Sequence, residues 1–554
     1  MRIVFQLSAA ALVTIALWSE TAFPQTLEKP SFEAAYIQAS PSTTRFQFFG
    51  RPQIRLGRYE IRTATMVDMV AWAYTVFGDF VVGGPHWVEW DRYDIYAQVP
   101  AGSTPDSQKD MLKELLADRF KLVARTEMRP MAALRLTAGK HLQVKEAAPG
   151  NESQCKFNAG NGPIMLAPRA DGGPPQLPAF TYTCQNMTME KFAVELRDMG
   201  DTGKVVVDQT GLKGAYDFTI KIQLQIRIQG VQTESTSFSD TIEKQLGLKL
   251  EPIKIALPVI VIDSVNEAPS ANPPGVAELL RIGAVATEFD VADLKPTSPD
   301  FKGRRTQFQP GGRVNMQGAP LKNLIMQAWG MTDPDYVIGA PKFTEDDRYD
   351  LIAKVPPEFA TNLNPDTMGP MLQALLKERF KLVVHLEERP MSAFTLRAIK
   401  PKLAKADPNS RTKFTEGPAN GAKDPRNNNP AMSRLVACQN MTMAQFAEKL
   451  NNIAAGYIRN GNVLDATGLE GGYDFTLNFS PAGMLQGQGR GGTAFAIDGS
   501  QAPLAAGLGD LSDPTGGMTL FEAIEKQLGL KLEQTKRPAS VVVIDHIERK
   551  PDEN

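Results

Sequence analysis

Histidine is scarce in this chain. Four occur in 554 residues, His86, His141, His385 and His546, with no HExxH and no pair at metal-ligand spacing, so no zinc site or other metal centre is expected. G-x-S-x-G is missing, which removes the usual serine hydrolase elbow. There is no P-loop and no dinucleotide fingerprint; the Gly-rich GQGRGG at 487–492 sits in a low-complexity stretch rather than between strand and helix, so no cofactor is expected. A basic excess is lacking too. Sixty Lys and Arg stand against 62 Asp and Glu, giving a net charge of −2, which denies the chain the field that nucleic acid or an anionic membrane surface requires. Cysteine is limited to Cys155, Cys184 and Cys438.

Long apolar runs are confined to the start. Residues 3–18 follow a single Arg2 and read as a secretory h-region, too short for a comfortable span, so 1–25 is expected to be a signal peptide and the protein periplasmic or secreted. The cleavage site lacks a clean A-x-A, and an uncleaved segment that anchors the chain is the alternative. No later stretch reaches 18 apolar residues, so no integral membrane domain is expected after it. With 42% apolar residues and 22% charged ones the remainder has the composition of folded globular domains rather than of disorder.

What is present is present twice. CQNMTM at 184–189 returns at 438–443, and IEKQLGLKLE at 242–251 returns at 524–533. A period of about 250 residues is too long for a solenoid and fits a duplicated domain. MLKELLADRFKLVARTEMRPM answers MLQALLKERFKLVVHLEERPM, and VIVIDSV answers VVVIDHI. Cys184 and Cys438 are 254 positions apart but Ile242 and Ile524 are 282 apart, which places a Gly-rich insertion at 480–517 of the second copy. The reading is a first repeat at 30–268, a linker at 269–286 and a second repeat at 287–549.

Each repeat also divides internally, into halves at about 30–139 and 180–268, and 287–400 and 436–549. Thr65-Met66 and Thr188-Met189 each open an amphipathic segment, and a Tyr-Asp pair follows at the same distance from both. A second helical pattern then runs into an alternating strand. The expected fold is α+β, two homologous tandem domains, each built of two small βαββαβ-like units. Their order resembles the ring-type domains at the N-termini of secretins and some outer-membrane receptors. Arg129-Pro130-Met131 and Arg389-Pro390-Met391 are expected to bend the chain between paired strands.

FEAAYIQAS, GGPHWVEWDRYDIYAQVP, NMTMEKFAVEL, VVVDQTGLKGAYDFTI and the closing EKQLGLKLE with VIVIDSV resemble a secreted family of uncharacterised proteins expanded in soil acidobacteria. Most members look like one copy and this chain holds two. The resemblance implies no activity; related domains behind membrane-embedded metallopeptidase sensors hint at an extracytoplasmic sensing or docking role.

The candidate residues divide by how often they recur. Tyr93-Asp94, Tyr216-Asp217, Tyr349-Asp350 and Tyr473-Asp474 repeat in all four halves. A feature needed four times reads as structural, with Asp accepting amide hydrogen bonds and Tyr packing across the unit; catalysis is the alternative. Asp91 and Asp94, three apart on a strand, point to opposite faces and do not form a shared acid pair. His86, Trp87 and Trp90 belong to one copy alone, which suits either a contact surface or plain packing of Trp87 under Gly83-Gly84-Pro85. Cys184 and Cys438 are equivalent and only the first copy holds a further cysteine, so a Cys155–Cys184 disulfide with Cys438 free is the economical pairing, against three unpaired thiols. The leading expectation is an exported, non-enzymatic binding or assembly module whose sheet edges and loops meet an envelope protein. The alternatives are a secreted hydrolase of glycan or peptide with an acid pair, or an extracytoplasmic sensor.

Overall fold

The computed structural model describes residues 29–40, 52–55, 58–148, 152–158, 179–199, 204–223, 238–283, 285–301, 303–309, 311–331, 333–365, 367–417, 434–454, 456–458, 463–482 and 518–552. The expected signal segment and all but the first residues of the expected insertion lie outside these.

The chain is α+β and duplicated, and local capping explains where its helices begin. In repeat one β1 (Ala34–Ala39), β2 (Gln53–Arg55) and β3 (Arg58–Thr65) lead into α1 (Met66–Tyr74), whose N-cap Thr65 exchanges hydrogen bonds with Asp68 in a capping box. β4 (Val81–Gly83), β5 (Arg92–Gln98) and α2 (Pro105–Arg119) follow; Thr104 caps α2 and Pro105 occupies its first turn, where a missing N–H costs nothing. After β6 (Val123–Ala138) the pattern restarts as β7 (Lys145–Glu146), β8 (Gln154–Asn158), β9 (Ala179–Thr188), α3 (Met189–Met199), β10 (Val205–Asp208), β11 (Ala215–Gln223), α4 (Phe238–Leu246) and β12 (Leu248–Ser264). A short helix α5 (Val276–Leu279) interrupts the linker, with Val276 and Leu280 buried.

Repeat two runs the same course: β13 (Val291–Pro296), β14 (Arg305–Gln309), β15 (Arg313–Pro320), α6 (Leu321–Trp329), β16 (Val337–Ile338), α7 (Phe343–Asp346), β17 (Arg348–Lys354), α8 (Gly369–Arg379) and β18 (Val383–Ala398). Its second half holds β19 (Ala404–Lys405), β20 (Lys413–Glu416), β21 (Arg434–Met441), α9 (Met443–Ile453), β22 (Val463–Asp465), β23 (Tyr473–Phe479), α10 (Leu520–Ala523) and β24 (Leu530–His546).

Sheet order reveals an internal two-fold likeness. The sheets β1-β5-β3-β2 and β7-β11-β9-β8 have one order, as do β13-β17-β15-β14 and β19-β23-β21-β20. The remaining sheet of each repeat, β10-β6-β12-β4 and β22-β18-β24-β16, reads alike from either end. At its centre lies one long antiparallel pair, β6 with β12 or β18 with β24, that runs through both halves. Leu136, Leu248 and Leu250, at one end of the first pair, join the core of the second half with Phe192 and Ile242, whereas Ile260 and Ile262 at the other end join that of the first half with Ile61 and Leu116. The two halves are therefore stitched through shared strands rather than strung in sequence.

The Arg-Pro-Met motifs sit mid-strand, not at a bend. Pro130 pairs with Ala256, and Pro390 faces Pro538. Gly84 N donates to Ile262 O at 3.0 Å and Gln209 N to Leu136 O at 2.9 Å, so even-numbered residues of β6 and β12 turn their backbone groups outward. Pro130, Pro252 and Pro258 are all even, as are Pro390 and Pro538 by the same argument from Ala466 N to Leu396 O at 2.9 Å. Each proline thus gives up a donor that would leave the ladder, which lets it sit inside a long strand and blunts the outer edge.

Candidate functional site

The four Tyr-Asp pairs share one geometry. Just before α1, α3, α6 and α9 the incoming strand bulges, with register shifts beside Thr63, Asn186, Gly318 and Asn440. These four residues take positive φ of 53°, 48°, 67° and 45°. A left-handed residue swings its N–H out of the ladder, and three of the four pay the Cβ strain that glycine avoids. The stranded N–H donates to the neighbouring aspartate in every case: Thr63 to Asp94 at 2.9 Å, Asn186 to Asp217 at 2.8 Å, Gly318 to Asp350 at 2.9 Å and Asn440 to Asp474 at 2.8 Å. Ser40 and Thr297 hydroxyls add donations to Asp94 and Asp350, each at 2.7 Å. Asp94 is only 1% exposed.

The tyrosines tie the same point to its surroundings. Tyr93 and Tyr349 donate to the carbonyls of Glu267 and Arg549 beyond the last strand, and pack edge-on against Phe120 and Phe380 at 5.0 and 5.1 Å between centroids. Tyr216 and Tyr473 donate to Lys213 and Glu470 in the Gly-containing turns before them.

Of His86, Trp87 and Trp90, the first and last meet repeat two at a joint between the repeats, whereas Trp87 stays within repeat one. Trp87 is buried in its own core against Tyr93. Trp90 packs on the core of the second half of repeat two, and the Lys449 ammonium lies 5.1 Å from its ring centroid and 5.6 Å from that of Phe414. Burial, and then Arg92, holds the Lys449 pKa below its usual range. His86 contributes its carbonyl, which accepts from Thr412 N at 3.1 Å. Arg411 completes the joint. It donates to Gly83 O and to Val81 O, and pairs with Glu89 at 2.9 Å; Lys413 reaches the same Glu89 oxygen at 3.1 Å. Val81 and Gly83 lie on the edge strand β4, so the guanidinium caps carbonyls that the sheet leaves outward.

Beneath this loop the Asp91 and Glu267 carboxyls face each other. Burial, then Glu267, raises the Asp91 pKa from 3.8 to about 6, and His86 opposes the shift. Repeat two places Asp347 and Arg549 at the same positions, joined at 2.8 and 3.0 Å, and that ion pair lowers the Asp347 pKa. Nearby, the buried Arg119 donates to Ser270 O at 2.7 Å and Asn272 Oδ1 at 2.7 Å, while Asn272 pairs with both backbone groups of Ile37, so the linker is fastened along β1.

Cys155 and Cys184 stand opposite each other in β8 and β9 and are joined by a disulfide; Cys438 is free and buried, its thiol pushed up to about 12 by burial. His385 meets Asp545 at 2.9 Å on an exposed strand face. Among the described residues no cluster of three His, Cys, Asp or Glu side chains gathers as a metal would need, and no helix is long and apolar enough to cross a membrane.

The sequence profile described as Protein of unknown function (DUF3738) matches residues 67–265 and again 322–547. The chain belongs to the DUF3738 family. It carries two copies of the DUF3738 region in tandem, each running from the first helix of its repeat through the second half and the long strand pair. No curated protein and no solved structure matches the chain.

Arg411, Lys413, Lys449 and Glu267 were not singled out from the sequence. A signal existed in the comparison of repeats. β8 and β20 align through Cys155 and Phe414, which face Cys184 and Cys438, so Arg411 stands where repeat one has Glu152, Lys449 where it has Glu195, and Arg549 where it has Glu267. A charge inverted between copies marks a position with a different neighbour.

Proposed function

We propose that this chain is an exported, non-enzymatic binding or assembly module of the cell envelope, a two-copy member of a secreted family expanded in soil acidobacteria. One observation carries the reading: the carboxylates that recur in all four halves each accept a bulge amide, so the chemistry common to the copies goes into holding backbone rather than facing a substrate. The leader-like start supports export. Partner contacts fall on loops and on the exposed faces of the strand pairs, where Met128 and Leu386 are each 60% exposed. Strand addition along the outer edges of the long strand pairs, part of the sequence-based expectation, is disfavoured because prolines remove outward donors there.

A photoreactive residue placed at Met128 or Leu386 in living cells tests this. A discrete adduct with an envelope protein from those positions, and none from exposed Asp118 on α2, is the expected result. Equal or absent crosslinking at all three would overturn it.

A second reading, a hydrolase of glycan or peptide, has one observation in its favour. Asp91 and Glu267 form an adjacent acid pair with a raised pKa, the arrangement that lets one carboxyl hold a proton near neutrality. Its counterpart in repeat two is an ion pair, which confines any such chemistry to one copy.

A further inference from the structure

The joint between the repeats is head-to-tail: the loop after β4 of repeat one sits on β20 and α9 of repeat two. A contact of that kind leaves one donor loop and one acceptor face unused, and duplicated domains carry both by descent. Here the equivalent donor is the 339–347 loop of repeat two and the equivalent acceptor is the face formed by β8 and α3 of repeat one. Unless something prevents it, successive chains would join through them into an open filament.

At the two open ends, the residues that replace the joint's cations and indole are acidic. On the acceptor, Glu152 and Glu195 replace Arg411 and Lys449, and both are exposed. On the donor, Asp346 replaces Trp90 and is exposed beside Glu345, which is held by Lys322 at 2.8 Å. The closed joint brings Glu89 to two cations and an indole to an ammonium; the open ends would bring acids to acids. Like charges set against each other at an interface select against that pairing.

The edge strand also has no need of a docked loop in repeat one. Repeat one fastens β20 at Lys413 and at Thr412 just before it, whereas the matching strand β8 is stapled to β9 by Cys155–Cys184. Covalent and non-covalent fastening thus replace one another at the same place in the fold.

We infer that the joint is a one-use interface: it closes once, within a chain, and acidic residues at the two equivalent open surfaces keep a second copy of the chain from docking there. The inference is independent of the proposed function.

The test uses two full-length variants, the acceptor variant Glu152→Arg with Gln154→Lys and Glu195→Lys, and the donor variant Asp346→Trp, all at positions whose side chains are wholly or partly exposed. Sedimentation of the wild type and of the donor variant alone should give monomer across a concentration series, whereas the acceptor variant alone, whose new cations face Glu345 and Asp346 of a second copy, should self-associate. Mixing the two variants should give a tighter complex than the acceptor variant forms alone, because the indole at 346 then meets the cation at 195, and salt should weaken it. Circular dichroism matching the wild type verifies folding, and Glu195→Lys alone serves if the triple variant folds poorly. Folded variants that stay monomeric on mixing overturn the inference. So does a wild type that already self-associates and is dispersed by Asp346→Arg.

Discussion

Arg411→Ala should loosen the inter-repeat joint without unfolding either repeat. The side chain is 11% exposed and its Glu89 partner 18%, so the bonds are formed largely out of water. Truncation strands the Val81 and Gly83 carbonyls and removes one of two cations from Glu89. Hydrogen bonds to charged groups contribute about 1.5–3 kcal/mol each, and breaking a buried pair costs about 3–5 kcal/mol. Because Lys413 still reaches Glu89 and water can return to the carbonyls, the net loss falls at the low end, about 3 kcal/mol, or roughly 100-fold in the opening equilibrium. Hydrogen-exchange mass spectrometry reads this directly. Peptides covering 83–90 and 409–416 should exchange faster by about that factor, limited by the opening they already show, while those from α2 stay as they were. Unchanged exchange in both segments would mean that each repeat holds its own loop and that the joint contributes nothing.

Other consequences are equally specific. Cys155→Ser, or reduction of the native protein, should destabilise the second half of repeat one by roughly 3 kcal/mol through the lost cross-link; denaturant unfolding measures it, and a thiol count on denatured, non-reduced protein should find one free thiol, not three. The raised Asp91 pKa means that the folded state binds this proton more tightly than the unfolded state. That contribution to stability is complete below pH 3.8 and lost as pH rises through about 6. Glu267→Arg, copying repeat two, should abolish the decline, so a stability difference between wild type and variant that does not widen between pH 4 and 7 would contradict the pairing.

Much of the fold was legible because it is written in local chemistry. Thr-Met at 65–66, 188–189 and 442–443 gives a capping side chain and a first buried residue, and the helices begin there. Duplication was legible from identity alone. The shared strand pair was not, since alternation in 123–138 reveals a strand but not that its partner lies more than a hundred residues on. A proline within such a strand reads locally as a break, and only the register shows its donor facing outward. The bulges gave only a partial warning: glycine at Gly318 and asparagine at Asn186 and Asn440 suit the left-handed position, but Thr63 adopts it against its intrinsic preference because an aspartate waits for the N–H. The address of Trp90, on residues more than three hundred positions away, has no local trace beyond the inverted charges.

The central claim is that the four recurring aspartates hold the bulged backbone. Its most direct measurement is amide exchange at Thr63, Asn186, Gly318 and Asn440 in the wild type and in Asp94→Ala, Asp217→Ala, Asp350→Ala and Asp474→Ala. Each substitution should expose its own bulge amide to exchange and lower the stability of its half, leaving the other three amides protected. Four variants that keep their protection and stability would contradict the account.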